Sequence, residues 1–280
     1  MTDASLLDIE GLTVSFPSDS GRVSVVRDFA LRMGREKIGI VGESGSGKSI
    51  TARAILGLVP HPGQTTARRM QLGNRNLLAL DSAGWRGIRG KYAGMIMQDP
   101  KFSLNPVMRI GDQITETLRL HEKLDRAEQR RRAIAILQAV GIDDPERVYA
   151  AYPHELSGGM GQRAMIAAML ISSPELIIAD EPTSALDVLV REQVLKLLDD
   201  LVTTRGIGLI LISHDLPMVA RFCDRILVMY RGRIVETLDA HHLDRANHPY
   251  TKGLMACLPQ PAYRGQMLPS LSRDPAWEQA

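Results

Sequence analysis

The fold of this chain is decided by residues 42–49, which read Gly42-Glu43-Ser44-Gly45-Ser46-Gly47-Lys48-Ser49. A short apolar run, Lys37–Val41, comes directly before them, and a helical pattern starts at Lys48 and continues to Leu58. The glycines allow a tight turn whose backbone N–H groups point at an anion, and the positive end of the following helix dipole favours that anion further. A lysine in this place reaches the β- and γ-phosphates of a nucleotide, and the serine after it can hold Mg²⁺. We interpret the stretch as a phosphate-binding loop rather than as a chance Gly/Ser loop.

A second motif lies at Leu176–Ala179, an apolar run of strand length that is followed by Asp180 and Glu181. In phosphate-loop enzymes an acid at such a strand end helps to hold Mg²⁺, and a neighbouring acid can orient or deprotonate an attacking water. The pair alone is a weak signal, because many buried strands end in acids. After a phosphate loop, it predicts the second half of a nucleotide site.

Short apolar runs that alternate with helical stretches predict an α/β fold with buried parallel strands. Further strands are predicted at Ile9–Phe16, Val23–Leu31, Met95–Gln98, Gly208–Ile212 and Ile226–Tyr230. From about residue 101 to 155 the strand signals fade, and amphipathic helices are predicted at Ile110–Leu120 and Arg126–Val140.

Composition limits the classes of function. The 280 residues are 44% apolar and 24% charged with a net charge of +2, which gives no case for nucleic-acid binding. The two cysteines, Cys223 and Cys257, lie far apart and fit a reducing compartment. The sequence shows neither a signal peptide nor an apolar run of the roughly 18–20 residues needed to cross a bilayer. Work at a membrane would therefore require a partner that spans it.

A third motif narrows the choice, since a phosphate loop alone leaves GTPases, kinases, helicases and repair ATPases open. Residues 156–163 read Leu-Ser-Gly-Gly-Met-Gly-Gln-Arg and place a Ser-Gly-Gly turn at the start of a helix. Taken alone, Ser157 is explained equally well as a helix cap. Its place about twenty residues before Asp180 favours a second anion cradle instead.

With these three motifs the sequence resembles the ABC ATPase family over roughly residues 6–260. The resemblance implies an ATPase that uses Mg²⁺ and binds ATP between two subunits. The phosphate loop of one subunit, with Ile50 after it, would face Ser157, Gly158 and Gly159 of the other. Gln98 matches a glutamine that touches Mg²⁺ and communicates with the membrane partner, and Asp187 matches a residue at the dimer interface.

Further roles come from the same resemblance. His214 matches a histidine that contacts the γ-phosphate, and Phe16 is the best match for the residue that stacks on adenine, although a core phenylalanine would explain it equally well. Catalysis is assigned to Lys48, Glu181 and His214, and the metal to Ser49, Gln98 and Asp180.

The resemblance also implies the domain organisation. We expect an α/β phosphate-loop (RecA-like) core with a parallel sheet in residues 1–98 and 160–245. A small antiparallel β subdomain near Ile9 and Val25 belongs to this core, and an α-helical subdomain, 99–159, is inserted into it. A C-terminal extension at 246–260 completes an ABC ATPase domain of 1–260, and 261–280 are expected to form a loose tail.

Four features are similar to the branch of the family that imports oligopeptides, dipeptides and nickel. They are Met160, where glutamine is commoner, the phosphate loop at 42–49, Gln98-Asp99-Pro100, and the extension that begins His248-Pro249-Tyr250-Thr251. The implied partners are two transmembrane permease subunits, a second ATPase that is a sister chain or a copy, and, indirectly, an extracytoplasmic binding protein. The implied location is peripheral, at the cytoplasmic face of the bacterial inner membrane. The extension holds only Cys257, so no iron–sulfur site is expected.

ABC ATPases of chromosome maintenance share these motifs, and a non-transport ABC ATPase is the alternative function. That class needs a long coiled coil, which the fifty-odd residues of the helical stretch from about 101 to 155 are too few to form. ABC proteins that act on ribosomes carry two cassettes in one chain, whereas this sequence contains one. A GTPase would need Asn/Thr-Lys-x-Asp, and Thr251-Lys252-Gly253-Leu254 lacks the aspartate.

Overall fold

The computed structural model describes residues 5–98, 103–184 and 186–258, together with Asp274 and Trp277. The chain divides into two compact units, one from residues 1–79 and 211–280 and the other from 80–210. Apart from two positions, the predicted tail at 261–280 lies outside the described residues. The domain boundaries inferred from the family resemblance stay a prediction.

The described residues form eleven strands, numbered in chain order: β1 (Leu7–Ser18), β2 (Gly21–Met33), β3 (Lys37–Val41), β4 (Gln64–Thr66), β5 (Arg69–Leu72), β6 (Arg75–Asn76), β7 (Ala93–Ile96), β8 (Leu176–Asp180), β9 (Gly208–Ile212), β10 (Arg225–Tyr230) and β11 (Arg233–Asp239). Short 3-10 turns cover Leu77–Ala79, Pro153–Glu155 and Leu243–Arg245.

Nine α-helices lie wholly within the described residues: α1 (Lys48–Ile55), α2 (Ser82–Ile88), α3 (Ile110–His121), α4 (Arg126–Ala139), α5 (Pro145–Ala150), α6 (Gly158–Leu170), α7 (Val188–Arg205), α8 (Leu216–Phe222) and α9 (Pro249–Ala256). Within the described part of the chain, none of the helices combines the length and the apolar composition that crossing a membrane requires.

The first unit contains the expected antiparallel sheet. Strand β1 pairs with β2 from Leu7 opposite Met33 to Ser18 opposite Gly21. Strands β5 and β4 pair with the other edge of β1, and β6 continues from β5. Buried and partly exposed residues alternate along much of β1, so that one face of the sheet packs on the core. The prediction of an antiparallel pair near Ile9 and Val25 is confirmed.

The phosphate loop of the first unit follows a strand that is buried among parallel and helical neighbours. Strand β3 runs parallel to β10, and β11 pairs antiparallel with the same β10. Helix α8 packs so closely on β3 that a Cβ on Gly39 would lie 2.0 Å from Val219 Cγ1. The predicted helix from Lys48 ends at Ile55 rather than at Leu58, because Gly57 adopts a left-handed φ of 62°.

The second unit contains a parallel strand pair with a fixed register. Strand β7 pairs with β8 from Ala93 opposite Leu176 to Ile96 opposite Ala179. All five residues of β8 are buried, as expected for a parallel strand covered on both faces. Both strands therefore end at the same edge, and the residues that follow them, Gln98 and Glu181, are brought to one place.

Helices α3, α4 and α5 pack on one another in the second unit, and α3 and α4 also contact α6. Aspartates start two of them: the Asp125 side chain accepts from Glu128 N–H, and the Asp144 side chain accepts from Arg147 N–H. The basic run at residues 130–132 forms ion pairs with Glu146, Glu128 and Glu122. Exposed pairs of this kind contribute little to stability, and they show that the run belongs to a solvated helix face.

Candidate nucleotide-binding site

The phosphate loop is held in its shape by glycines that no other residue could replace. Gly42 has a φ of 148°, and a Cβ there would lie 2.2 Å from the carbonyl oxygen of Met229. Gly47 has a φ of 102°, and its Cβ would lie 2.7 Å from the carbonyl oxygen of Val25. The loop thus packs directly on the backbone of β2 and β10, which requires glycine at both positions.

Lys48 is buried inside this loop, with only 6% of its surface exposed. Its Nζ donates to the carbonyl oxygens of Gly42 and Glu43, at 2.8 Å each, and lies 3.4 Å from Ser46 Oγ. Helix α1 starts at Lys48 itself, and the N-terminus of a helix directs backbone N–H groups toward an anion. A buried ammonium group at the start of a helix suits a phosphate group.

Two residues outside the motif form hydrogen bonds with backbone groups of the loop. The N–H of Gly232, in the turn between β10 and β11, donates to Ser46 O at 2.9 Å. The hydroxyl oxygen of Tyr250, in α9, accepts from Glu43 N–H at 2.9 Å. Sequence reasoning missed both contacts. The sequence gives no direct signal for them, because each joins positions that are far apart in the chain.

His214 lies in the same unit, on the loop that follows β9. The preceding residue, Ser213, donates its N–H to Ile40 O at 3.2 Å, two residues before the phosphate loop begins. Ser213 Oγ accepts from Asp215 N–H, and Asp215 in turn caps α8 by accepting from Met218 N–H. These bonds fix the backbone on both sides of His214, whose side chain is exposed.

Phe16 occupies the end of β1, opposite Val23, and is partly exposed. Its ring lies against Gly63, where a Cβ would come within 2.7 Å of Cε1. The alternative of a core phenylalanine is disfavoured by this exposure. Stacking of the ring on adenine stays a prediction.

In the second unit, the register of β7 and β8 brings Gln98 and Glu181 together. The Gln98 amide Nε2 lies 3.4 Å from a carboxylate oxygen of Glu181. Asp180, the last residue of β8, is only 8% exposed. An amide and two carboxylates thus collect at the ends of two parallel strands, the edge at which α/β folds bind ligands.

The backbone at Glu181 is in an unusual conformation, with a φ of 47°. Non-glycine residues adopt this left-handed region at a cost, and such strain collects at functional sites. Two side chains hold the turn: the Ser184 hydroxyl donates to Glu181 O at 3.2 Å, and the Gln162 amide donates to Pro182 O. Gln162 is 1% exposed and comes from the Ser-Gly-Gly helix, which links that motif to the turn.

Ser157 and Asp187 are both helix caps. Ser157 Oγ accepts from Met160 N–H at 3.3 Å at the start of α6, and the Asp187 carboxylate accepts from Leu189 and Val190 N–H at the start of α7. The helix-cap interpretation of Ser157 is therefore correct. It is also compatible with an anion cradle, because the N-terminus of a helix favours negative charge.

Ser49, Gln98 and Asp180, the residues predicted to hold a metal, offer a hydroxyl, an amide and a carboxylate oxygen. Mg²⁺ prefers oxygen ligands and keeps several of its waters, so these residue types suit it. The phosphate loop with its buried lysine and the acid-ended parallel strand together define a phosphate-loop nucleotide-binding protein.

Comparison with known proteins narrows this class. The family described as ABC transporter matches residues 27–184. The dipeptide transport ATP-binding protein DppD of Escherichia coli (strain K12) is 42% identical over 270 residues, covering 95% of this chain and 82% of that protein. The oligopeptide transport ATP-binding protein OppD of Bacillus subtilis (strain 168) is 46% identical over 259 residues, covering 91% and 72%. The chain belongs to the ABC transporter family.

A solved structure agrees with this assignment. The dimeric structure of the ATP-binding cassette MJ0796 in a post-hydrolysis state, bound to ADP and Pi, superposes with a TM-score of 0.74 at 27% identity. The similarity covers 84% of this chain and 98% of that one. The α/β fold expected from the sequence is confirmed, and the chain contains an ATP-binding ABC transporter domain.

Proposed function

We propose that this chain is the ATP-hydrolysing subunit of an ABC importer that takes up peptides through separate transmembrane subunits. The proposal is carried by the similarity to dipeptide and oligopeptide transport ATP-binding proteins, which extends over more than nine-tenths of the chain. The phosphate loop and the two acids at the end of β8, which hydrolysis needs, are all present.

The reaction is ATP + water → ADP + phosphate. Lys48 and the N–H groups of the phosphate loop balance the negative charge of the β- and γ-phosphates, a charge-assisted contact that is stronger than a neutral hydrogen bond. Ser49, Gln98 and Asp180 would hold Mg²⁺, which supplies further neutralisation of phosphate charge. Glu181 accepts a proton from the attacking water or orients it, and His214 contacts the γ-phosphate.

ATP binding also joins two ATPase subunits. In this proposal Ser157, Gly158 and Gly159 of one subunit contact the γ-phosphate held by the other, and Asp187 lies at their interface. The support is the helix N-terminus that Ser157 caps, which favours an anion. Phe16, partly exposed at the end of β1, stacks on adenine.

The subunit acts at the cytoplasmic face of the bacterial inner membrane, bound to two permeases that receive cargo from an extracytoplasmic binding protein. Its partner ATPase is a sister chain or a second copy. Nickel or metal chelates are the second candidate cargo, which only the resemblance of the sequence to the importer branch supports. The peptide-transport relatives favour peptides. No nucleic acid takes part. A non-transport ABC ATPase is the alternative.

Lys48→Ala tests the whole proposal. We expect it to abolish phosphate release by the purified protein and uptake of a labelled dipeptide by cells that depend on this chain, because the loop loses its one ammonium group. Lys91→Ala, at an exposed lysine outside the loop, is the control and should leave both unchanged. Substantial phosphate release by Lys48→Ala would contradict the site, and ATP-dependent uptake of nickel instead of dipeptide would contradict the cargo.

A further inference from the structure

A buried tyrosine from the C-terminal helix contacts the phosphate loop. Tyr250 is fully buried, and its hydroxyl oxygen accepts a hydrogen bond from Glu43 N–H at 2.9 Å. The two residues are 207 positions apart in the chain. A residue outside every motif of the nucleotide site therefore contacts the loop that carries the site.

The contact acts on a particular peptide group. The carbonyl of Gly42 and the N–H of Glu43 belong to the same peptide unit, and Lys48 Nζ donates to that carbonyl at 2.8 Å. Tyr250 holds the unit from one side and Lys48 holds it from the other. Hydrogen bonds at both ends of one peptide polarise each other, and together they fix the orientation of its plane. The position of the Lys48 ammonium is thereby coupled to the Tyr250 hydroxyl.

Further contacts hold the Tyr250 ring and the start of the helix that carries it. Its ring lies 4.5 Å from that of Tyr230 and 5.8 Å from that of Trp277, measured between centroids. Helix α9 starts at a cap in which His248 Nδ1 accepts from Tyr250 N–H at 3.2 Å. The carboxylate of Glu236, on β11, accepts from the N–H groups of Asn247 and His248 just before that helix. Ring contacts thus hold the Tyr250 side chain, and hydrogen bonds hold the start of α9.

We propose that Tyr250 is a positioning residue of the nucleotide site, so that the C-terminal helix Pro249–Ala256 forms part of the ATP-binding machinery. Its hydroxyl sets the Gly42–Glu43 peptide and, through it, Lys48 for the β- and γ-phosphates. The inference rests on the proposed ATPase function, and it adds a role that the motifs do not assign.

The chain contains a matched control. Tyr230 is 2% exposed and packs against Tyr250, with the two rings tilted by 43° to each other. Its hydroxyl is buried without a hydrogen-bond partner among the described residues. Removing the hydroxyl from Tyr250 deletes a bond to the phosphate loop, whereas removing it from Tyr230 deletes none that the structure shows. The two changes are otherwise chemically identical.

The experiment compares Tyr250→Phe and Tyr230→Phe by ATP hydrolysis, by ATP titration and by thermal melts with and without ATP. We expect Tyr250→Phe to raise the KM and the Kd for ATP about fivefold to tenfold, as the loss of one hydrogen bond does, and to reduce the rise in Tm that ATP causes. Tyr230→Phe should stay within about twofold of the wild type, because no bond is lost.

Three outcomes separate the claims. Equal KM and Kd for the two variants would overturn the positioning role and leave the ATPase intact. A Tyr250→Phe protein that no longer folds, beside a folded Tyr230→Phe protein, would also overturn it, since the hydroxyl would then serve folding alone. A wild-type protein that neither binds nor hydrolyses ATP would instead contradict the proposed function.

Discussion

The left-handed backbone of Glu181 gives the carboxylate a direction that a regular strand end would not. Side chains alternate along a strand, so that continuation of β8 would have set the side chain of Glu181 opposite to that of Asp180. The turn instead places Glu181 within 3.4 Å of the Gln98 amide. Strain of this type costs about 1–3 kcal/mol and persists only where surrounding bonds maintain it. The Gln162 and Ser184 bonds provide that support.

Glu181→Gln should slow ATP hydrolysis by about 10²–10⁴-fold and leave ATP binding intact. Groups that accept a proton or position water contribute about this much to the rate. The amide keeps the size of the side chain but is not a base. Phosphate release and ATP titration measure the two effects, and Glu116→Gln, at an exposed acid on α3, is the control. Hydrolysis at a normal rate would show that another group activates the water.

At single residues, the sequence supports functional predictions where the residues concerned are neighbours in the chain. The phosphate loop and the Asp180-Glu181 pair each consist of consecutive residues, so their chemistry can be predicted without knowledge of the fold. Tyr250 and the backbone strain at Glu181 were not predictable in this way. The first depends on a contact across 207 positions, and the second on bonds from Gln162 and Ser184.

Among the elements, the buried strands were predicted within two or three residues of their observed ends. Strand β9 agrees at both ends, and β8 extends its prediction by one residue, to Asp180. Continuous apolar runs of this length are a strong signal because both faces of a parallel strand are covered. The short strands Gln64–Thr66 and Arg75–Asn76 were missed, since three and two residues carry no periodicity and are stabilised by their pairing with β1 and β5.

The start of α9 depends on the carboxylate of Glu236. Burial alone would raise the pKa of Glu236, but the hydrogen bonds it accepts from the N–H groups of Asn247 and His248, together with its other contacts, lower the pKa below the ordinary 4.5. A lowered pKa in the folded state means that the contribution to stability is complete above pH 4.5 and is lost as the pH falls through the lowered value.

We therefore expect Glu236→Gln to destabilise the protein at neutral pH by about 1 kcal/mol, a modest value because the site is only partly buried. The difference from the wild type should shrink as the pH falls below 4.5. Thermal melts across this range measure it, with Glu116→Gln as the control for the loss of an acid. A difference that stays constant with pH would show that the charge of Glu236 is not what fastens α9.

For the whole molecule, membership of the ABC transporter family explains why motifs that lie far apart in the sequence occur together in one chain. Relatives at 42–47% identity cover most of the chain, whereas the solved cassette at 27% identity shares the fold. The sequence identified the family because its motifs are local. The sequence did not distinguish a sister chain from a second copy as the proposed partner ATPase, because a sister of the same family would carry the same motifs.

The dimer proposal is tested at Ser157 in a Glu181→Gln background, where ATP binds but is not consumed. Asparagine and aspartate have nearly the same shape, and both cap helices as well as serine does, so either should keep α6 intact. Only aspartate sets a negative charge where the γ-phosphate of the partner subunit would lie. Size-exclusion chromatography with Mg-ATP should therefore show a dimer for Ser157→Asn and a monomer for Ser157→Asp, with equal ATP affinity at the chain's own phosphate loop. If the working pair consists of two different chains, the contrast will appear only when the sister ATPase is added. Equal dimerisation of the two variants would mean that Ser157 caps a helix and does nothing more.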